Sequence, residues 1–305
     1  SGVALSGGPA SGTDSLEAVD RAKEVFLAEV AGKAGRYDEM ASHMAAVCKL
    51  PEELSVEERG LLTTAFEHSV GSRLAALRCI DGCEEMADSA GCGQLAQYAR
   101  EYCSKLEQEV MGMCGVVLEF LDGNLIAKAT TIQSKVAYLQ LKADCHRHTA
   151  EVSSGGARDV AFESARLAAV TALGLVSDDL AAKDPTAESE FERLKAKADC
   201  CRFIVGVSDE AARDAAVESA RLAHVRALQA AEGCLAAVHP ARLGMALSFS
   251  TFQHEELGNL RGACKTAVAA IQAASAQDGS ADVETSSDSA GVLQLLRDNL
   301  TRWTS

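Results

Sequence analysis

The sequence contains little proline and few aromatic residues. Only 4 of its 305 residues are proline and 4% are aromatic. Runs of β-branched or aromatic residues bounded by turn residues, which are typical of strands, are nearly absent. Ala, Leu, Glu, Lys and Arg dominate instead, and these residues favour helices. The composition therefore predicts an all-α protein and argues against any fold built on a β-sheet.

Basic residues are scarce relative to acidic ones. The chain carries 29 Lys and Arg against 44 Asp and Glu, a formal net charge of −15. Nucleic acids and anionic membranes are bound through clustered Lys and Arg. We therefore expect neither nucleic acid nor membrane as the main partner, and favour a protein partner that brings its own basic residues.

The sequence also lacks the usual signatures of disulfide frameworks, metal sites and enzymes. Its 11 cysteines show no even, close spacing, which is typical of buried thiols in a reducing compartment. Cys79, Cys83 and Cys92 lie near one another, but no His or Cys pair completes a zinc motif. We recognise no signal peptide, membrane span, nucleophile–base pair or glycine-rich phosphate loop. The interpretation is a soluble, cytoplasmic, non-enzymatic protein without cofactor or metal.

Hydrophobic periodicity predicts helices from Ser15 onward. Residues 1–14, "SGVALSGGPASGTD", are rich in Gly and Ser and predict a disordered tail. Ser55 followed by Glu58 has the spacing of a capping box, which predicts a helix that runs to about Ile80. The segment "DGCEEMADSAGCG" after it is predicted to be a loop.

A tandem repeat is the clearest internal feature. The segment "LKADCHRHTAEVSSGGARDVAFESARLA" at Leu141 returns as "AKADCCRFIVGVSDEAARDAAVESARLA" at Ala196. Residues 132–185 and 187–240 align without gaps, with 26 identities in 54 pairs. Each copy reads as helix, short polar turn, helix and proline, so the repeat predicts two helical hairpins in series.

Six segments in order resemble the 14-3-3 protein family across Leu16 to Ser305: "RYDEM", "ELSVEERGLL", "REYCSKLEQE", "SKVAYLQLKADCHR", "HPARLGMALSFSTF" and "LQLLRDNLTRWTS". The resemblance implies a dimeric cup of nine helices that binds phosphoserine or phosphothreonine segments of other proteins and catalyses nothing. The family has one copy of the hairpin, as its fifth and sixth helices. We therefore expect about eleven helices in a single domain over residues 15–305.

The phosphate-binding positions that the resemblance implies are altered. In the family, a Lys and an Arg seven residues apart on the third helix, with an Arg-Tyr pair on the fifth, bind the phosphate. Here the third-helix positions are Glu67 and Leu74, and Arg78 is the one plausible remnant of the site on that helix. Arg147 is retained on the fifth helix, but His148 replaces the Tyr. The usual pocket is therefore expected to be broken.

The second hairpin copy offers a replacement. Lys195, Arg202 and Phe203 fall on the positions of the family's Lys, Arg and Tyr. Adjacent helices pack roughly 8–10 Å apart, so one extra hairpin widens the cup by about that distance. Arg147, Lys195 and Arg202 therefore form a candidate displaced phosphate pocket.

An alternative interpretation is that these cations make ordinary ion pairs on helix faces. Arg147 would then pair with Asp144, and Arg202 with Asp199, each worth about 0.3–0.5 kcal/mol. Such weak pairs neither demand nor exclude a phosphate site.

The opposite wall of the groove and the dimer surface are better retained. Positions that contact peptide in the family are matched by Leu247, Glu255, Val292, Leu295, Asn299 and Trp303, while Ser248 stands where an Asn normally binds the peptide backbone. The apolar residues among them could equally be core. Family dimer pairs are matched by Arg36 with Glu109 and Glu39 with Lys105, and its apolar contacts by Val30, Ala34, Ile80 and Tyr102.

Two functions stay open at this point. The first is a phosphopeptide-binding adaptor with an altered groove. The second is a dimeric helical scaffold that binds protein partners independently of phosphorylation. We expect a homodimer, and a heterodimer with another family member is the alternative.

Overall fold

The computed structural model describes residues 12–181, 186–277 and 287–304. Within these ranges the chain forms eleven α-helices and no strand, as the composition and the repeat predicted. The helices are α1 (Gly12–Lys33), α2 (Tyr37–Cys48), α3 (Val56–Ser89), α4 (Gly93–Lys128), α5 (Ile132–Glu151), α6 (Gly155–Ala181), α7 (Ala187–Val207), α8 (Glu210–Cys234), α9 (Pro240–Glu255), α10 (Leu260–Gln277) and α11 (Ser287–Thr304). Helix α4 contains one π-helical turn at Leu121–Leu125.

The N-terminal helix begins slightly earlier than predicted. Residues 1–11 of the predicted tail lie outside the described residues, but α1 already begins at Gly12 rather than Ser15.

Helix α3 confirms one prediction and corrects another. Ser55 Oγ accepts from the Glu58 backbone N–H, and Glu58 accepts from the Ser55 N–H, so the capping box is present. The helix does not end near Ile80 but continues to Ser89, so most of the predicted loop is helical. A single Gly82 costs only about 1 kcal/mol in a helix, and good helix formers follow it. Gly91, with φ of 71°, supplies the left-handed residue after the helix.

The two hairpin copies repeat their local structure at the same offset as their sequence. Helices α5 and α7 begin at Ile132 and Ala187, and α6 and α8 begin at Gly155 and Glu210. The caps of α5 and α7 also correspond, because each threonine hydroxyl accepts the N–H of the third helical residue, Thr131 from Ser134 and Thr186 from Ser189. The turns within the hairpins are shorter than the polar segments suggested.

The chain divides into two units, with the boundary between Ala165 and Arg166 inside α6. In the first unit, α3 packs against α2 and α4, and α4 packs against α5, around a core that includes Met44, Phe66 and Tyr138. In the second unit, α7 packs on α8, α8 on α9, and α9 on α10 and α11. The single domain predicted for residues 15–305 stays a prediction.

Two helices, Gly93–Lys128 and Gly155–Asp179, are long and apolar enough to meet the length and composition criteria of a membrane span. We expected no membrane span from the sequence. In α4 the apolar residues have another explanation, since Val110, Cys114 and Val117 are buried in the core of the first unit. Helices of this kind are common in protein cores, so the criterion alone is weak evidence.

Candidate functional site

The two positions on α3 where the family resemblance implies phosphate-binding cations, Glu67 and Leu74, lie in different environments. Glu67 lies at the surface of α3, where partial burial and the nearby charge of Asp144 raise the pKa of its carboxyl group. Leu74, two turns further on, is only 8% exposed and belongs to the core of the unit. Arg78 is exposed on the same helix. Leu74 is therefore a core residue and does not line a groove.

Arg147 on α5 is held by acidic neighbours. Its Nη2 atom lies 2.9 Å from Asp144 Oδ1 and its Nη1 atom 2.6 Å from Glu151 Oε1. His148 Nδ1 lies 3.4 Å from the second oxygen of Glu151. The alternative interpretation of Arg147 as a helix-face ion pair is thus confirmed for Asp144, and Glu151 is an additional partner. With Glu67 nearby, carboxylates outnumber the cations in this part of the first unit, which disfavours an anionic ligand.

The cations of the second copy are less firmly bound. Lys195 Nζ lies 3.4 Å from Asp199 Oδ2, and Arg202 Nη2 lies 3.7 Å from Glu255 Oε2. Their side chains remain 41% and 40% exposed. The charge of Asp199 raises the pKa of the Lys195 ammonium, which therefore stays protonated at neutral pH. The expectation that Arg202 pairs with Asp199 is corrected, because its carboxylate partner is Glu255, which is far away in sequence.

Arg202 and Glu255 connect the second copy to helix α9. Ser248 and Glu255 are nearly in line along α9, since residues seven apart in a helix lie on the same side, and Leu247 is adjacent to Ser248. Arg202 on α7 therefore meets the end of the face that carries the predicted peptide-contacting residues. Arg147 belongs to the first unit and Lys195 and Arg202 to the second, so the pocket of three cations stays a prediction.

A buried histidine behind this face was missed by sequence reasoning. His224 on α8 is fully buried and stacks on the Phe252 ring at a centroid distance of 4.9 Å. Its Nδ1 atom is 2.8 Å from the Ala220 carbonyl oxygen and its Nε2 atom 3.4 Å from Ser248 Oγ. Burial lowers the pKa of His224, so the neutral ring donates from Nδ1 to the carbonyl. One signal in the sequence could have drawn attention to His224. The equivalent residue of the first copy is Ala169, so the two copies differ at this position.

Helix α11 supplies the remaining predicted wall residues, in two different environments. Val292 and Trp303, with Leu247 of α9, are half-buried against one apolar cluster of the second unit, and the Trp303 ring stacks on His254 at 5.0 Å. Leu295 is 53% exposed. Asn299 Oδ1 accepts a hydrogen bond from Arg302 of the same helix. Trp303 and Leu247 are therefore partly core residues, as the core interpretation expected. Leu295 is not, because its apolar side chain is exposed to solvent.

The predicted dimer positions all lie in the first unit, and most are exposed in the single chain. Val30 is 45% and Tyr102 53% exposed. Ala34 is exposed and Ile80 partly buried. The charged positions pair within the chain, Arg36 with Glu39 and Lys105 with Glu109. In a dimer, these residues would leave their weak pairs within the chain and pair with residues of the partner subunit instead.

Comparison with known proteins assigns the chain to a family. The model of the 14-3-3 protein family matches residues 27–187 and again residues 168–304. A 14-3-3-like protein of Chlamydomonas reinhardtii is 35% identical over 94% of this chain and 91% of the relative. A 14-3-3-like protein of Oenothera elata subsp. hookeri is 35% identical over 93% of this chain and 89% of the relative. The 14-3-3-like protein GF14 epsilon of Arabidopsis thaliana is 32% identical over 94% of this chain and 91% of the relative.

The resemblance of the sequence segments, the eleven-helix array and these matches agree. The chain belongs to the 14-3-3 protein family, whose members are non-enzymatic adaptors.

Proposed function

We propose that this protein is an adaptor that binds phosphoserine or phosphothreonine segments through the cations of its second hairpin copy. Family membership supports phosphopeptide binding in general. The specific proposal assigns Lys195 and Arg202, both of the second unit, to the phosphate. The wall residues Leu247, Ser248, Leu295 and Asn299 contact the rest of the peptide.

The observation that carries this proposal is the contact of Arg202 with Glu255. It brings a half-exposed guanidinium of the second copy to the face of α9 that carries the predicted peptide-contacting residues. A distance of 3.7 Å is longer than a good hydrogen bond, and an exposed pair of this kind contributes about 0–1 kcal/mol. A phosphate group with a charge near −2 accepts several charge-assisted hydrogen bonds and can replace Glu255 as the partner.

The scaffold function is the second candidate, and one observation favours it. In the first unit, Arg147 is already bound by Asp144 and Glu151, and Glu67 lies nearby. Phosphate would have to compete with these carboxylates for Arg147. If Lys195 and Arg202 of the second copy do not bind phosphate in place of Arg147, the groove binds unmodified segments.

We further propose that the functional form is a dimer. Family members form dimers, and this chain exposes Val30 and Tyr102 at the matching positions. Apolar contacts supply most of the stability of such a two-fold interface, while the surface charges set its register. Homodimer and heterodimer use the same surface. The location that we propose is the cytoplasm.

Titration with paired peptides tests the function. A phosphoserine peptide of the kind that 14-3-3 proteins bind, and its serine counterpart, are titrated into the protein by fluorescence anisotropy. The adaptor function predicts that the phosphorylated form binds at least about tenfold more tightly, since one charge-assisted contact is worth about 1.5–3 kcal/mol. Equal affinity would contradict the proposal and favour the scaffold.

A further inference from the structure

His224 of α8 and Ser248 of α9 form a hydrogen-bonded pair within the second unit. His224 is fully buried, whereas Ser248 is only partly buried and is nearly in line with Glu255, the partner of Arg202. The pair therefore connects the interior of the second unit with the face of α9 that carries the predicted peptide-contacting residues.

The His224 ring carries a proton on its Nδ1 atom. This atom lies 2.8 Å from the backbone carbonyl oxygen of Ala220, which can only accept a hydrogen bond, so Nδ1 donates. The rings of Phe249 and Phe252 both stack on the imidazole, at centroid distances of 5.7 and 4.9 Å. These contacts fix the orientation of the ring and surround it with apolar groups.

The second ring nitrogen of His224, Nε2, is not protonated at neutral pH. Burial has the largest effect on the pKa of His224 and lowers it. The hydrogen bond to the Ala220 carbonyl and the charge of Asp199 raise this pKa, and the charge of Arg202 lowers it. The two charges of α7 thus act in opposite directions, and the buried ring is neutral with a lone pair on Nε2.

The lone pair on Nε2 determines the direction of the hydrogen bond to Ser248. The two atoms, His224 Nε2 and Ser248 Oγ, are 3.4 Å apart, and among the described residues Nε2 has no other hydrogen-bond partner. A lone pair can only accept, so the hydroxyl donates to the ring. The hydrogen bond is long, but a hydroxyl that turned away would leave a fully buried acceptor unpaired, which is costly.

This direction restricts what Ser248 can offer to a bound peptide. A hydroxyl has one hydrogen and two lone pairs. Because the hydrogen is used by His224, the Oγ atom has only lone pairs left for the peptide backbone. An asparagine, which the family resemblance implies at this position, has both an acceptor oxygen and a donor NH₂ group. The serine can therefore accept from a backbone N–H but does not donate to a backbone carbonyl.

We propose that His224 is a positioning residue that fixes the Ser248 hydroxyl as a hydrogen-bond acceptor, so that the groove selects peptides with a free backbone N–H opposite Ser248. A proline at that peptide residue has no N–H and is disfavoured. The inference rests on the proposed peptide-binding function and adds which backbone group of the peptide is recognised.

Backbone esters in the peptide test the proposal. In a set of phosphoserine peptides, each backbone N–H in turn is replaced by an ester oxygen, and each affinity is compared with that of the all-amide peptide by fluorescence anisotropy. We expect one position at which the ester lowers the affinity about fivefold, because the donor is lost and the ester oxygen faces the lone pairs of Ser248. In the variant Ser248→Ala, the loss at this position should disappear.

The variant His224→Phe tests the positioning role, since it keeps an aromatic ring beside Phe252 but removes the acceptor. The Ser248 hydroxyl can then turn and donate to the ester oxygen, so the loss at that position should fall to about twofold, while the affinity for the all-amide peptide changes little. Ser250→Ala is the matched control on α9, because the Ser250 hydroxyl donates to the Leu247 carbonyl oxygen. This control should keep the full loss.

Equal ester losses in the parent protein and in the variants Ser248→Ala and His224→Phe would overturn the proposal, even if the phosphopeptide binds. Two-bond ¹H–¹⁵N NMR correlations of the His224 ring give a check that needs no variant, since a proton on Nε2 at pH 7 would also overturn it. Equal affinity for the phosphoserine and serine peptides would instead contradict the adaptor function. The ester set is then made from the serine peptide and still tests the contact with Ser248.

Discussion

Arg202 of the second hairpin copy reaches Glu255 of α9, with 3.7 Å between Nη2 and Oε2. Helix α8 lies between the two residues in the sequence, and both belong to the second unit. Each side chain is roughly half exposed, so the pair is stabilised weakly and its partners are exchangeable. The second copy thus places the Arg202 cation beside the face of α9 that carries the predicted peptide-contacting residues.

Introducing the cations that the family resemblance implies at Glu67 and Leu74 should affect stability differently at the two positions. Glu67→Lys changes an exposed residue, so the fold should tolerate it. Leu74→Arg places a guanidinium in the core of the first unit and should lower the free energy of unfolding by about 3 kcal/mol or more, measured by urea denaturation. A Leu74→Arg variant as stable as the parent protein would contradict the burial of Leu74 in the core.

The dimer prediction rests on exposed apolar residues. The double substitution Val30→Lys with Tyr102→Lys should give a monomer in sedimentation velocity at micromolar concentration, because two charges replace the apolar contacts. Leu222→Lys is the control, since Leu222 is similarly exposed but lies in the second unit. A monomeric parent protein, or a double variant that still dimerises, would exclude this interface.

The threonine caps of the two copies should contribute alike. Thr131→Ala and Thr186→Ala each remove a hydroxyl that accepts a helix N–H, and each should lower the free energy of unfolding by about 0.5–2 kcal/mol. Thr171→Ala within α6 is the control, since alanine has the higher helix propensity and little loss is expected. A loss at only one cap would mean that the copies differ locally.

His224 should make stability sensitive to acid. Burial lowers its pKa below the ordinary value of 6.5, so the unfolded chain binds the proton more readily than the folded one. Stability is then fully present above about pH 6.5 and falls as the pH drops toward the folded pKa. The variant His224→Phe, which keeps an aromatic ring beside Phe252, should show a smaller loss between pH 7 and pH 5 in urea denaturation. His146, whose pKa burial also lowers, is unchanged in both proteins. If the free energy of unfolding fell equally with pH in the parent protein and in the His224→Phe variant, the acid sensitivity would not come from His224.

Local features of the fold could be predicted from the sequence, because short-range chemistry determines them. The capping box at Ser55 and the matching starts of the hairpin helices depend on residues within one or two turns. The prediction that α3 ends near Ile80 is wrong, because the helix formers after Gly82 outweigh the effect of this single glycine. Gly82 disfavours the helix by only about 1 kcal/mol.

The partners of the site residues could not be predicted in the same way. The spacing of Glu67 and Leu74 places them on one side of α3, but only packing distinguishes the exposed residue from the buried one. The pairing of Arg202 with Glu255 depends on how α7 meets α9, and helical spacing suggested Asp199 instead. No sequence motif marks His224, since a buried histidine is recognisable only from the residues that surround it in the folded protein.

The central claim, that phosphate recognition depends on the second hairpin copy, is tested most directly by phosphopeptide affinity in charge-matched variants. Arg202→Ala and Lys195→Ala should each weaken binding of the phosphoserine peptide roughly tenfold or more, measured by fluorescence anisotropy. Arg221→Ala removes the same charge from α8, where Arg221 pairs locally with Glu218, and should leave the affinity nearly unchanged. Glu67→Lys should also have little effect. The account is contradicted if Glu67→Lys creates strong binding while Arg202→Ala and Lys195→Ala change nothing.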